Sequence, residues 1–223
     1  MIANAHASAA EGEAPIFSPA FRRELEALFQ WRRDVRRFET TVVPERLIAQ
    51  VIRAAGTAPS VGLSEPWRFI RVGSTAARAA VAANFEEANA LALAAQPSEK
   101  RALYARLKLA GLREAPVQLA VFCDEASGQG GGLGIATMPE MRRYSVVCAV
   151  MQMWLAARAR GLGIGWVSIL DPHRVADDLA APRDWSLVAY LCLGYPVEDH
   201  IDPELERAGW QERHSLPDRV LHR

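Results

Sequence analysis

The densest chemistry in this 223-residue chain lies in six consecutive residues, Arg32, Arg33, Asp34, Val35, Arg36 and Arg37. Four guanidinium groups surround one carboxylate there. Arginine offers a planar fork of charge-assisted donors that matches the oxygens of a phosphate. Such a run suits an anionic ligand wherever part of it faces a cleft. It equally suits a solvated helix end whose cations offset the C-terminal dipole. Asp34 is the odd member. Among arginines its carboxylate is expected to have a lowered pKa and to stay ionised. It would then be ready to take a proton or to bind a donor group of a ligand, although a structural ion pair satisfies the same spacing.

A second polar group, Ser168, stands in the otherwise apolar stretch Trp166-Val167-Ser168-Ile169-Leu170. A hydroxyl in such a strand needs a partner: backbone, water or ligand. No G-x-S-x-G surrounds it and no His/Asp pair is evident, which speaks against a serine hydrolase. Gly161, Gly163 and Gly165 superficially resemble a dinucleotide fingerprint, but that motif follows a strand and opens a helix. Here the order is helix, glycines, strand. The glycines therefore read as a helix cap and a tight start to the strand, with room for a flat ligand to approach the backbone. The run Ser127 to Gly134 lacks the GK[ST] ending of a phosphate loop, so nucleoside triphosphate binding is discarded. Cys123, Cys148 and Cys192 sit in apolar stretches without metal-ligand spacing and read as reduced, buried and structural. The histidines are scattered and form no HExxH pattern, so no metal site is expected.

Ordinary globular elements must hold these groups. Hydrophobic residues make up 50% of the chain and charged residues 23%, enough apolar surface for a sizeable core without disulfides or metal. The 26 Lys and Arg balance 26 Asp and Glu, which argues against a nucleic-acid partner or an anionic membrane surface. The first residues lack the basic and apolar regions of a secretory signal, and the longest apolar stretch, Val146 to Ala157, is too short to span a bilayer. These features point to the cytoplasm.

Residues 1 to 15 are Ala-rich and aperiodic and read as a mobile tail before a single domain over residues 16 to 223. Ser18-Pro19 reads as a helix start, followed by one apolar face at Phe21, Leu25, Leu28 and Phe29. Pro44 opens a second helix with Leu47, Ile48, Val51 and Ile52 on one face. Ala58 to Trp67 reads as a loop and Arg68 to Val72 as a strand. A long Ala-rich helical region follows, broken near Gln96-Pro97 and resuming to Leu109. Val117 to Cys123 is a buried strand, and Asp124 to Pro139 a Gly-rich loop of the kind that often binds or covers a ligand. Tyr144 to Arg160 is a helix apolar on nearly all sides, suited to a core or a subunit interface. Ile164 to Leu170 and Leu187 to Leu193 are strands, with a short helix from Pro172 to Leu179 between them. The polar remainder has Trp210 as its large apolar anchor. About four strands covered by helices make an α+β fold.

Four phrases in order resemble the nitroreductase-like flavoproteins: the RR-x-x-R segment at Arg32 to Arg36, Ala58-Pro59-Ser60 to Pro66-Trp67, Ala159-Arg160-Gly161-Leu162-Gly163, and Leu193-Gly194-Tyr195-Pro196. Within them the chain is similar to the branch that makes 5,6-dimethylbenzimidazole from reduced FMN. The similarity runs through Trp31 to Phe38, Gly165 to Pro172 and Tyr190 to Pro196. Asp34 and Leu63 favour that branch over ordinary nitroreductases, which often carry Ser and Asn at these places. Glu65 departs from the Gln common before Pro-Trp, which leaves no amide for a flavin contact.

The resemblance implies an α+β, mostly antiparallel sheet flanked by helices, in a homodimer with FMN at the subunit interface. It implies FMN contacts at Arg32, Arg33, Asp34, Val35, Arg36, Ser60, Leu63, Gly163, Gly165 and Ser168. A phosphate contact from the tail is implied at Arg213, with Arg207 as the rival. Gly163 and Gly165 would admit the ring face, and Asp34 and Ser168 would be the catalytic pair. The implied reaction consumes FMNH₂ and O₂, releases 5,6-dimethylbenzimidazole and erythrose 4-phosphate, and depends on a separate flavin reductase. Residues 75 to 112 would act as a lid, since the reaction needs a site closed to water. Two other readings stand beside it: an NAD(P)H-dependent nitroreductase or flavin reductase, and a non-catalytic FMN-binding protein.

Overall fold

The protein is represented by a computed structural model that describes residues 14–107, 110–215, 219–221 and 223. Its helices are α1 (Pro19–Trp31), α2 (Glu45–Ala55), α3 (Thr75–Ala94), α4 (Ser98–Arg106), α5 (Gly111–Glu114), α6 (Met141–Arg158), α7 (Pro172–Asp178) and α8 (Glu204–Arg207). Its strands are β1 (Trp67–Arg71), β2 (Val117–Asp124), β3 (Gly163–Val167) and β4 (Trp185–Gly194). Most of the expected tail, and the end of the Ala-rich helical region at Lys108 and Leu109, lie outside the described residues.

The four strands form one antiparallel sheet in the order β1-β2-β4-β3, as expected for the fold class. Side chains alternate across it. Leu119, Val121 and Cys123 of β2 and Ala189, Leu191 and Leu193 of β4 join a core with α2 and α6. Ala120 and Phe122 of β2 and Tyr190 and Cys192 of β4 face the opposite core, which includes Val81 of α3, Leu112 of α5 and Val175 of α7. Covering both faces explains why these strands are apolar almost without interruption. The buried exception, Gln118, is satisfied: its Nε2 donates to Leu112 O at 2.8 Å and its Oε1 accepts from the Tyr190 hydroxyl at 2.7 Å.

The cap residues act as their types dictate. Ser18 Oγ accepts from Phe21 N at 3.1 Å, and Asp171 accepts from His173 N and Arg174 N at the start of α7. Gly161, with φ +73°, ends α6, and Leu162 N donates back to Ala157 O at 3.0 Å. The α6 helix has one face in the core and one outside it. Val146, Ala149, Val150 and Met153 are buried, while Tyr144, Val147 and Met151 are exposed. Cys148 lies exposed on that outer face, which corrects the expectation that all three cysteines are buried. For Cys123 and Cys192 the expectation holds: burial pushes each thiol up to about 12.

Candidate active site

The site is built on β3, an edge strand of the sheet. An edge leaves a row of N–H and C=O groups unpaired. Here the arginine segment takes part of that row. Val35 N donates to Ile164 O at 3.0 Å, and the Asp34 carboxylate accepts from Trp166 N at 2.8 Å through Oδ1. The chain then turns onto the end of β4. Phe38, 2% exposed, is the apolar anchor, and Glu39 N donates to Tyr195 O at 2.9 Å. Glu114 of α5 clamps the turn by accepting from Phe38 N at 3.0 Å and pairing with Arg37 at 3.3 Å.

This docking explains Gly163 and Gly165. A Cβ on Gly165 would lie 2.1 Å from Val35 O, and one on Gly163 would lie 2.5 Å from Val35 Cγ2. The space beside these glycines is filled by the chain's own Val35. On that side the two glycines admit the arginine segment.

The arginines divide their work. Arg33 is spent on backbone: its Nε donates to Ile201 O at 2.9 Å, its Nη1 to Arg32 O at 2.6 Å, and its Nη2 to Gln30 O and Ile201 O. Arg36 has its Nε 3.3 Å from Glu204 Oε2 and 3.9 Å from Asp34 Oδ2. Arg32 lies over the Trp154 ring, 5.0 Å from its centroid. Among the described residues neither Arg32 nor Arg213 is in an ion pair, yet the two are close enough to repel. Burial pushes the Arg32 guanidinium below its ordinary value, Asp34 partly restores it, and Arg213 depresses it further. Arg207, the rival to Arg213, is committed to Asp202, with Nη1 2.9 Å from the carbonyl oxygen and 3.1 Å from Oδ1.

The Asp34 pKa departs from its expected direction. Burial raises its pKa above the usual carboxylate value, against the lowering effects of the Trp166 amide, Arg36 and Arg32. The reason lies in the division of work just described. Arg33 faces carbonyls and Arg37 faces Glu114, so half of the expected counter-charge points elsewhere. A half-buried carboxyl whose pKa is raised is better suited to giving and taking a proton than a free one.

The cavity beside it measures about 220 Å³ and is lined by Arg33, Asp34, Val35 and Arg36 together with Glu204 and Arg207. Ser168 is exposed just past the end of β3, two residues beyond the amide that Asp34 accepts, about 7 Å along the strand. Its hydroxyl has no hydrogen-bond partner among the described residues, so the partner expected for it is not backbone. Ser60 and Leu63 do not line this cavity. They sit in the loop before β1, where Ser60 Oγ accepts from Glu65 N at 3.2 Å and Leu63 is 72% exposed. The residues expected at the ligand thus lie in two separate places on one chain.

Sequence reasoning missed Glu114, Glu204 and Trp154. Trp154 was visible only as one more apolar residue of α6, and nothing in the spacing of the two glutamates marks them. Within the expected lid, α3 is fixed: Asn84, 1% exposed, exchanges two hydrogen bonds with the Asp171 backbone at 3.0 and 2.8 Å. By contrast α4 is held from outside, by Tyr104 on Asn89 at 3.1 Å and by Lys100, 4.9 Å from the Trp210 centroid.

The sheet order, the docked arginine segment and the helix α6 define the class. The chain belongs to the nitroreductase family, whose model matches residues 29–195. It is 59% identical to a 5,6-dimethylbenzimidazole synthase of Rhodospirillum rubrum, over 91% of this chain and 96% of the relative. It is 47% identical to a 5,6-dimethylbenzimidazole synthase of Rhodobacter capsulatus, over 88% of this chain and 95% of the relative. Among solved structures, an iodotyrosine deiodinase bound to FMN and 3-iodo-L-tyrosine shares the fold, with a TM-score of 0.67 and 24% identity over 79% of this chain and 91% of the other.

Proposed function

We propose that this chain is an enzyme that converts reduced FMN and O₂ to 5,6-dimethylbenzimidazole, the lower ligand of cobalamin, and erythrose 4-phosphate. The observation that carries the reading is the Asp34 carboxyl, docked on the Trp166 amide at the rim of an arginine-lined cavity. The synthase name of relatives 59% and 47% identical over almost their full lengths supports it.

The residues present fit FMN. Its phosphate suits Arg32 and Arg213, which lie close enough to act on one another, and Arg36 can donate to the electron-rich edge of the ring. Bound reduced FMN supplies both the electrons and the carbon skeleton of the product. Asp34 takes or relays a proton at its carboxylate Oδ2, the oxygen not engaged by Trp166. Ser168 orients the ligand through its free hydroxyl.

A cavity of about 220 Å³ is smaller than the roughly 300 Å³ at which ligand pockets begin. A second copy of the chain is therefore part of the proposal, bringing Ser60 and Leu63 of its loop to the ring. The uncovered apolar surface suits this: α1 buries none of its residues, and Phe17 and Phe21 stack at 4.8 Å beside it. The part of residues 75 to 112 that closes over the ligand is α4, since α3 is anchored. A separate flavin reductase supplies the FMNH₂, and the setting is the cytoplasm; no helix among the described residues is long and apolar enough to cross a membrane.

The test is an aerobic incubation of the purified protein with FMNH₂, with mass spectrometry for 5,6-dimethylbenzimidazole and light scattering for mass. Product from a dimer is the expected result. Rapid NADH oxidation with FMN recovered intact would favour a nitroreductase or flavin reductase. Tight retention of FMN without turnover would favour a binding protein.

A further inference from the structure

Arg36 stands between two carboxylates, and the nearer is not Asp34. Its Nε lies 3.3 Å from Glu204 Oε2 and 3.9 Å from Asp34 Oδ2, and its side chain is only 13% exposed, so it is held rather than free to swing in solvent. Glu204 opens α8, beyond the sheet, and lines the same cavity as Asp34. The charged and titratable groups acting on Asp34 are Arg32 and Arg36 of its own segment and Glu204 of α8, and Asp34 in turn acts on Cys192 of β4. Arg37, Glu198, His200, Asp202 and Arg207 complete the cavity wall. Of the groups acting on Asp34, Glu204 alone is negative.

We propose that Glu204 is a positioning residue, which holds Arg36 off the Asp34 carboxylate and so leaves that carboxyl able to carry a proton in the folded protein. The inference rests on the reading of Asp34 as the group that handles the proton. Opposite charge within a few ångströms favours an ionised carboxylate, and like charge disfavours it. Glu204 does both harms to the Asp34 anion: it competes for the nearest cation and adds its own field.

The experiment follows the Asp34 carboxyl carbon by NMR in protein labelled with ¹³C at aspartate, the resonance being assigned by its loss in Asp34→Asn. In Glu204→Gln the Asp34 titration moves to lower pH, because a negative charge has gone and Arg36 is released. Glu204→Asp stays closer to the wild type than Glu204→Gln does. Asp202→Asn, which removes a charge of the same cavity that is paired with Arg207, leaves the titration in place. The acid limb of the pH–rate profile for product formation moves in the same direction as the NMR midpoint. An unmoved titration in Glu204→Gln, or an equal shift in Asp202→Asn, overturns the proposal whether or not the protein turns over. A moved titration in a protein that makes no product supports the role of Glu204 and overturns the enzymatic reading instead.

Discussion

Residues 33–39 and 60–66 are both irregular, and both carry residues expected at the ligand, but they are held by opposite means. The arginine segment is relaxed. It hydrogen-bonds to the edge of β3, buries Phe38 and is locked by the close approach of Val35 to Gly163 and Gly165. The loop before β1 is strained. Leu63 and Glu65 have φ of +55° and +40°, conformations that cost a side chain roughly 1–2 kcal/mol each. The Ser64 hydroxyl is buried without a partner among the described residues. Gly130 backs this loop so closely that a Cβ there would lie 2.5 Å from Gly62 O, and Gln129 Nε2 holds Leu63 O at 2.9 Å. Strain and an orphaned hydroxyl concentrate where surrounding structure over-determines the backbone, often at functional sites. The contrast teaches that the arginine segment is tied down within a single chain, whereas the loop before β1 carries an exposed leucine on a strained backbone.

The comparison breaks most readily at Gly165. Its alanine variant puts a Cβ against a carbonyl oxygen that cannot yield without lifting the segment. We expect a loss of about 3 kcal/mol in urea unfolding together with loss of FMNH₂ binding. Gly163→Ala meets the Val35 side chain, Cγ2 at 2.5 Å and Cβ at 3.1 Å, rather than backbone, so the cost should be about 1–2 kcal/mol. Combining it with Val35→Ala should recover part of that loss, whereas Gly165→Ala should not be rescued. A double-mutant cycle reads the difference, and equal rescue of both would show that the segment is not docked as described.

Asp34→Asn sharpens the electrostatic side. The folded carboxyl holds its proton to higher pH than the unfolded one. Wild-type stability is therefore lost as pH rises from the ordinary carboxylate range through the folded value, and is level above it. Asparagine has no such titration, so the variant should gain stability relative to wild type across that window, as seen in urea midpoints measured at stepped pH. A relative loss over the same window would mean that the arginines dominate after all. The smallest effect is expected at Leu63→Asn. Asparagine tolerates a positive φ better than leucine, so stability should rise by about 0.5 kcal/mol, while product formation falls because the leucine no longer meets the ligand.

Much of this was legible in the sequence, for identifiable reasons. Local chemistry is written locally: Ser18 and Asp171 cap helices, Gly161 ends α6, and the alternation in β2 and β4 follows from burial on both faces. Strand ends were less legible. The second strand of the site stops at Val167 rather than Leu170, which leaves Ser168 outside it, and β4 begins at Trp185 rather than Leu187. Pairings between distant residues left no trace. Nothing local announces that Asp34 meets the Trp166 amide or that Glu204 meets Arg36. The ionisation of Asp34 was misjudged for the same reason: composition counts neighbouring arginines, but only geometry tells which way they point. The apolar face of α1 was correctly seen as a face, yet none of its residues is buried among the described residues.

The most direct measurement is a single-turnover aerobic reaction of wild type and Asp34→Asn, each loaded with FMNH₂ to the same occupancy, with 5,6-dimethylbenzimidazole quantified over time. We predict product from the wild type and a fall of roughly 10²–10⁴-fold in Asp34→Asn, the usual worth of a positioned proton-transfer group, with FMNH₂ affinity little changed. Equal rates in the two proteins would contradict the account, leaving Asp34 as a structural tie between the arginine segment and β3.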